Sequence, residues 1–122
     1  YYSKSRFSYD SAYRAMKRLL KNTKDMTAVF AMSDVTAIGA IRALRDEGLR
    51  VPEDISVMGF DGITLAEYYN PKLTTIQQQY RTLAQRSVGI LLGYIELHTS
   101  AVYEIVPFKL VEGESVRNIA QE

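Results

Sequence analysis

A short apolar run that ends in a carboxylate constrains this chain more than any other stretch. Arg50-Val51-Pro52-Glu53-Asp54 reads as a tight turn, and Ile55-Ser56-Val57-Met58-Gly59-Phe60-Asp61 as the strand it feeds. Gly62 follows directly. An apolar run bounded by turn residues suits a strand covered on both faces, the usual condition in a parallel sheet. Open parallel sheets collect ligands beyond the carboxyl ends of their strands, so Asp61 is expected at a binding rim.

The flanking segments supply the rest of an α/β pattern. Ser8 is a good N-cap, and Ala12, Ala15, Met16, Leu19 and Leu20 recur at helical spacing behind it. Thr27 to Met32 reads as a second buried strand. Ser33-Asp34 opens another helix with Ala37, Ile38, Ile41 and Leu44 on one face, and Gly48 ends it. Strand, helix, turn and strand within about 35 residues is the length of a right-handed βαβ unit. Further on, Ile63 to Tyr69 is a short amphipathic piece stopped by Asn70-Pro71. Leu73 to Ile76 is a β-type run, and Gln77-Gln78-Gln79 a polar linker. Arg81 to Glu96 is a long helix with Ala84, Val88, Leu91, Leu92 and Ile95 on a stripe. A loop is expected from His98 to Ala101, and an extended segment from Val102 to Val111, where Pro107 marks an edge or crossing strand. The tail, Glu112 to Glu122, is polar and expected to fray at its end.

Composition narrows the class. The 122 residues are enough for one ordinary domain, and 47% hydrophobic with 24% charged residues is the balance of a folded protein, not a disordered tail. A formal charge of +1 supplies no field for gripping a nucleic-acid backbone or an anionic membrane. The absence of cysteine excludes disulfides and thiolate metal sites and suits a reducing compartment. No apolar run reaches the roughly 18 residues of a membrane span. The chain starts without methionine in a tyrosine-rich extended segment, which suggests a piece of a longer protein.

Several segments together resemble the regulatory domain of the lactose-repressor/galactose-repressor (LacI/GalR) family. They are the helix-opening run from Phe7 to Met16, Thr27 to Asp34 with Ala37 to Ala40, and Gly48 to Asp61. Pro71 to Gln78 and Leu110 to Ser115 complete the set. The motifs keep the family order and spacing from Phe7 to Ser115. The resemblance implies a partial doubly wound parallel sheet of the periplasmic-binding-protein-like type I, mostly the C-terminal lobe and truncated at its N-terminus. On that pattern residues 1–77 and 112–122 belong to the C-terminal lobe, while residues 78–111 cross over and contribute a helix and strand to the N-terminal lobe. The first strand and helix of the C-terminal lobe would be missing, leaving a strand edge and part of a sheet face uncovered.

The resemblance also implies ligand-binding residues, each with a plainer alternative. Asp61 matches a carboxylate that accepts hydrogen bonds from ligand hydroxyls or amines; otherwise it is a solvated turn aspartate. Gly62 stands where the family often has a second acid or an amide. Phe7 matches an aromatic that packs on the flat face of a sugar or base, or it is a loop phenylalanine. Ser33 lies where a strand delivers the chain to a helix N-terminus, a place for a polar ligand group, yet it and Asp34 can equally cap the helix. Gln78 and Tyr80 fall at the crossover and match a polar residue and an aromatic that close over the ligand; otherwise this is a hydrated hinge. His98 reads as a surface residue, and Arg42 to Glu47 as a solvated helix face. No catalytic constellation, phosphate loop or zinc spacing is present, so no catalytic residue, metal ligand or cofactor is expected.

The expected function is sensing by a cytoplasmic, dimeric transcriptional repressor and not catalysis. A small-molecule effector, most simply a carbohydrate, would bind in an inter-lobe cleft and couple lobe closure to operator DNA held by a helix-turn-helix headpiece absent from this sequence. No membrane partner is expected. Two other classes share the fold: a periplasmic sugar-binding protein of a transporter, and an enzyme on a doubly wound sheet.

Overall fold

The computed structural model describes residues 1–23, 25–98 and 103–121. It divides into two compact units, Tyr1–Gln77 with Leu110–Glu122, and Gln78–Lys109.

In the first unit, helix α1 (Tyr9–Asn22) starts where Ser8 accepts from the Ser11 amide at 3.3 Å. It carries Asp10 in its first turn and Lys21 in its last, the charge order its dipole favours. Ala12, Ala15 and Met16 form its buried face. Strand β1 is only Ala28–Phe30, shorter than the Thr27–Met32 run suggested. Helix α2 (Asp34–Asp46) opens on a capping box in which the hydroxyls of Ser33 and Thr36 each accept the other residue's backbone N–H. Its burial is wider than the single stripe of Ala37, Ile38, Ile41 and Leu44. Gly39, Ala40 and Ala43 are buried as well, because α2 packs against both α1 and the strand that follows. Tyr13 Oη donates to Asp46 at 3.0 Å and Lys17 pairs with Glu47, so polar contacts also join the two helices.

Strand β2 is Ser56–Asp61, helix α3 is Thr64–Tyr68 and strand β3 is Thr74–Gln78. With β4 (Phe108–Val111) they form one four-stranded sheet in the order β1-β2-β3-β4. Strand β2 pairs in parallel with β1 and β3, with Phe30 opposite Met58 and Asp61 opposite Gln77. Ile41, Leu44, Val57 and Leu73 make the most deeply buried apolar cluster.

Two expectations are corrected here. Coverage of the central strands on both faces is not observed. Val57 and Gly59 are buried while Met58 and Phe60 are half-buried, and β1 has a strand neighbour on one side only, with Phe30 63% exposed. The glutamine run is not wholly a linker, because pairing with β2 extends to Gln77 and β3 ends at Gln78. The start of the tail is anchored to the sheet. The first β2–β3 partners are Met58 and Thr74, and just before them Val57 takes its hydrogen bond from Ser115 instead. The Val57 amide donates to the Ser115 carbonyl at 2.7 Å. The Ser115 hydroxyl donates to the Val57 carbonyl at 2.6 Å and accepts from the Thr74 amide at 2.8 Å. The fully buried Ser115 therefore ties the opening of β2 to that of β3.

A buried carboxylate organises the other end of the sheet. Asp34, in the first turn of α2, is fully buried; it accepts the Thr75 hydroxyl at 2.5 Å and the Ile63 amide at 2.8 Å. One side chain thus links α2, β3 and the loop leaving β2. Gly59 makes room for it, since a Cβ there would overlap Asp34 Oδ1.

In the second unit, helix α4 (Tyr80–Leu97) extends one residue beyond the expected Arg81–Glu96 at each end, and His98 closes it in the left-handed conformation. Val88, Leu91, Leu92 and Ile95 of the expected stripe are exposed. Arg86 Nε contacts Glu104 at 2.7 Å, joining the helix to the segment before β4. Pro107 immediately precedes β4, so the extended stretch forms a strand only after it. Residues 99–101 of the expected loop, and Val102, lie outside the described residues.

The first prediction concerns the buried acid. Asp34→Ala orphans the Thr75 hydroxyl and the Ile63 amide and should cost about 3 kcal/mol. Gly59→Ala should cost about 2 kcal/mol through overpacking. If the two residues act through one contact, the double variant loses less than the sum, as a denaturant double-mutant cycle will show.

The second prediction concerns the turn before β2. The Arg50 guanidinium grips Asp54 through two hydrogen bonds of 2.9 and 3.0 Å, and the Arg50 amide adds a third of 2.8 Å. Together they hold the Asp54 carboxyl down at about 2. A depressed carboxylate contributes stability above its unfolded value, and that contribution is lost as pH falls through the folded value. Asp54→Asn should therefore melt lower than the parent at pH 7, and the gap should close between pH 4 and 2. A gap that stays constant across that window removes the charge from the account.

Candidate functional site

The carboxyl ends of β1, β2 and β3 form a rim on the first unit, and the local sequence explains its shape. Asp61 ends β2 with φ of 114°, a backbone region that L-residues with a side chain seldom occupy. Such strain costs of order 1–3 kcal/mol and persists where neighbouring contacts over-determine it. Here pairing with Gln77 fixes Asp61 from the strand side. Two residues on, the Ile63 amide is anchored to Asp34. Between them Gly62 takes φ of 74°, so the chain turns sharply off the sheet. Asp61 is left half-buried at the rim.

The absence of a side chain at residue 62 has a steric reason. A Cβ there would lie 2.6 Å from Gln77 Cγ and 2.7 Å from its Cα and Cβ. The stem of Gln77 therefore occupies the space into which an acid or amide at residue 62 would project.

Ser33 lies at the same end of the sheet, but it is only 2% exposed and its hydroxyl is held in the capping box with Thr36. It orients the start of α2 and, through it, Asp34. Phe7 is 76% exposed in the segment before α1. It lines a cavity of about 550 Å³ together with Tyr2, Met16, Phe30 and Met32, and neither Ser33 nor Asp61 lines that cavity. Gln78 and Tyr80 belong to the second unit, at the end of β3 and the first turn of α4; Gln78 is half-buried and Tyr80 is 47% exposed. Within the first unit, then, Asp61 stands at the strand ends with Ser33 behind it, and Phe7 lines a cavity of its own.

Sequence reasoning left two residues of this end unassigned. Locally Asp34 reads as a helix cap, whereas it is the bracing acid of the rim. Gln77 was read as hinge, yet its place directly opposite Asp61 is visible only once the register of β2 and β3 is known. Among the described residues no group of three or more histidine or acidic side chains could hold a metal ion. No described helix is long and apolar enough to cross a membrane.

Comparison with known proteins agrees with this architecture. Residues 1–116 match the periplasmic binding protein-like domain. The helix-turn-helix transcriptional regulator MalR of Clostridium butyricum is 43% identical over 113 residues, covering 93% of this chain and 34% of that protein. The helix-turn-helix transcriptional repressor PurR of Haemophilus influenzae is 41% identical over 118 residues, covering 93% of this chain and 35% of the repressor. The chain thus spans about a third of the length of the curated relatives it matches. Among solved structures, the regulator CelR in complex with cellobiose superposes with a TM-score of 0.85 at 37% identity, over 91% of this chain and 34% of that one. The lac repressor dimer bound to operator and an anti-inducer gives 0.84 at 34% identity, over 92% and 39%. A regulator from Enterococcus faecium with bound ribose gives 0.77 at 35% identity, over 92% and 41%. With the same rim-bearing parallel sheet and a match running through nearly all its length, this chain belongs to the periplasmic binding protein-like domain family in the form carried by LacI/GalR-type transcriptional regulators.

Proposed function

We propose that this chain is the effector-sensing part of a cytoplasmic, dimeric DNA-binding repressor, and that its effector is a sugar held at the rim by Asp61. The observation that carries the reading is the half-buried Asp61 carboxylate, kept in a strained conformation at the end of the central parallel strand. Strain of this kind gathers where a fixed side-chain direction matters more than stability. A carboxylate there accepts hydrogen bonds from hydroxyls and offers no donor, which suits a polyhydroxylated ligand. The relatives solved with cellobiose and ribose point to the same ligand class. Phe7, Ser33, Gln78 and Tyr80 are the further contacts suggested by the family pattern, with Ser33 acting through the helix it caps.

The mechanism follows from differential affinity. An effector touched by Asp61 and by a second lobe of the full-length regulator binds the closed arrangement more tightly than the open one, and so shifts their populations. In a two-fold dimer on DNA, half-site spacing is a geometric constraint, so a modest change in lobe arrangement alters operator affinity. The reading of this chain as a periplasmic transporter component gains no support from its curated relatives, which are helix-turn-helix regulators.

Two substitutions in the full-length regulator test the proposal. Asp61→Ala removes a charge-assisted acceptor and should weaken effector binding by about 2 kcal/mol, some thirtyfold in Kd, with operator binding in the absence of effector unchanged. Asp61→Gly should also lose effector affinity, yet melt higher than the parent because glycine relieves the backbone strain. Calorimetry with sugars and a thermal melt measure both. Unchanged effector affinity in both variants would remove Asp61 from the site.

A further inference from the structure

We infer that Gln77 is a specificity-determining residue of the rim, paired with Asp61 to recognise two hydroxyls on adjacent carbons of the ligand; this rests on the sugar-sensing reading above. Gln77 is the register partner of Asp61 on the neighbouring parallel strand. Partner residues on adjacent strands stand about 4.8 Å apart, close enough for their polar heads to reach neighbouring ligand atoms. Gln77 is exposed, and its stem lies over Gly62, which bears no side chain to push it away. Any Cβ at residue 62 would collide with three of its carbons, so the glycine and the glutamine are sterically matched. The chemistry of the pair is complementary. The ionised carboxylate only accepts, whereas the carboxamide both donates and accepts. A hydroxyl that donates to Asp61 leaves its neighbour free to accept from, or donate to, Gln77. A vicinal diol satisfies both groups; a ligand lacking one of the two hydroxyls leaves a rim group unmatched.

The test uses the full-length regulator and titration calorimetry with ribose, lactose and cellobiose, followed by monodeoxy forms of whichever sugar binds. Four proteins are compared: the parent, Gln77→Ala, Gly62→Ala and Asp61→Ala. Gln77→Ala should weaken binding of the parent sugar about fivefold, the scale of one neutral hydrogen bond. It should leave affinity for one particular monodeoxy sugar unchanged, which is the signature of a lost contact and not of general loosening. Gly62→Ala, which displaces the Gln77 side chain, should shift specificity in the same direction. A melt without sugar that is unchanged in Gln77→Ala excludes a merely structural effect. Parent-like affinity and ranking in Gln77→Ala, together with weakened binding by Asp61→Ala, overturns the role of Gln77 and leaves the sugar-sensing reading standing. Parent-like binding in all three variants overturns both. A parent that binds none of the sugars overturns the sugar class and the diol pairing with it.

Discussion

A carboxylate sealed inside the domain sets the geometry of its functional end. Burying an ionised group is costly unless hydrogen bonds replace its water, and Asp34 obtains them from the Thr75 hydroxyl and the Ile63 amide. It also sits in the first turn of α2, where the helix dipole favours negative charge. These contacts tie three separate segments to one side chain. The consequence reaches Asp61, which lies between a strand pairing on one side and the Ile63 anchor on the other. Held from both directions, the backbone retains a conformation it would otherwise leave.

The opposite end of β2 is fixed by a different device. There the Arg50–Asp54 turn leads into the strand, and Ser115 arrives from far along the chain to complete hydrogen bonds with Val57 and Thr74. Between the two ends the contacts are apolar, with Val57 packed among Ile41, Leu44 and Leu73. Polar anchoring at the ends with apolar packing in the middle gives a strand that neither slides nor tilts. This is what a binding rim requires, because a shift of one residue would turn Asp61 to the other face.

How much of this was legible beforehand depends on the range of the interaction. The starts of α1 and α2 could be read from Ser8 and Ser33 because capping is local and uses residues three apart. Strand β2 could be read from its apolar run, and Asp61 from its position at the end of it. What could not be read depends on residues far apart in sequence. Nothing near Asp34 announces Thr75, and nothing in a polar tail announces that Ser115 is fully buried. Gln77 looked like linker because composition speaks for solvation, while the pairing that makes it strand belongs to β2. The breadth of burial on α2 was underestimated for a related reason. Alanine and glycine carry little periodic signal, yet they are the residues that let a helix be approached from two sides.

The two acids at this end of the sheet therefore have separate roles, set by environment and not by residue type. Asp34 has no exposed surface, so a diffusing molecule cannot reach it, and its oxygens serve the fold. Asp61 is half-buried and conformationally strained, and so remains within reach of a diffusing molecule. On the sugar-sensing reading proposed above, the stability cost of the strained acid falls where the ligand is held. Gly62 leaves room for the Gln77 stem beside Asp61, while the bracing by Asp34 holds the loop that follows.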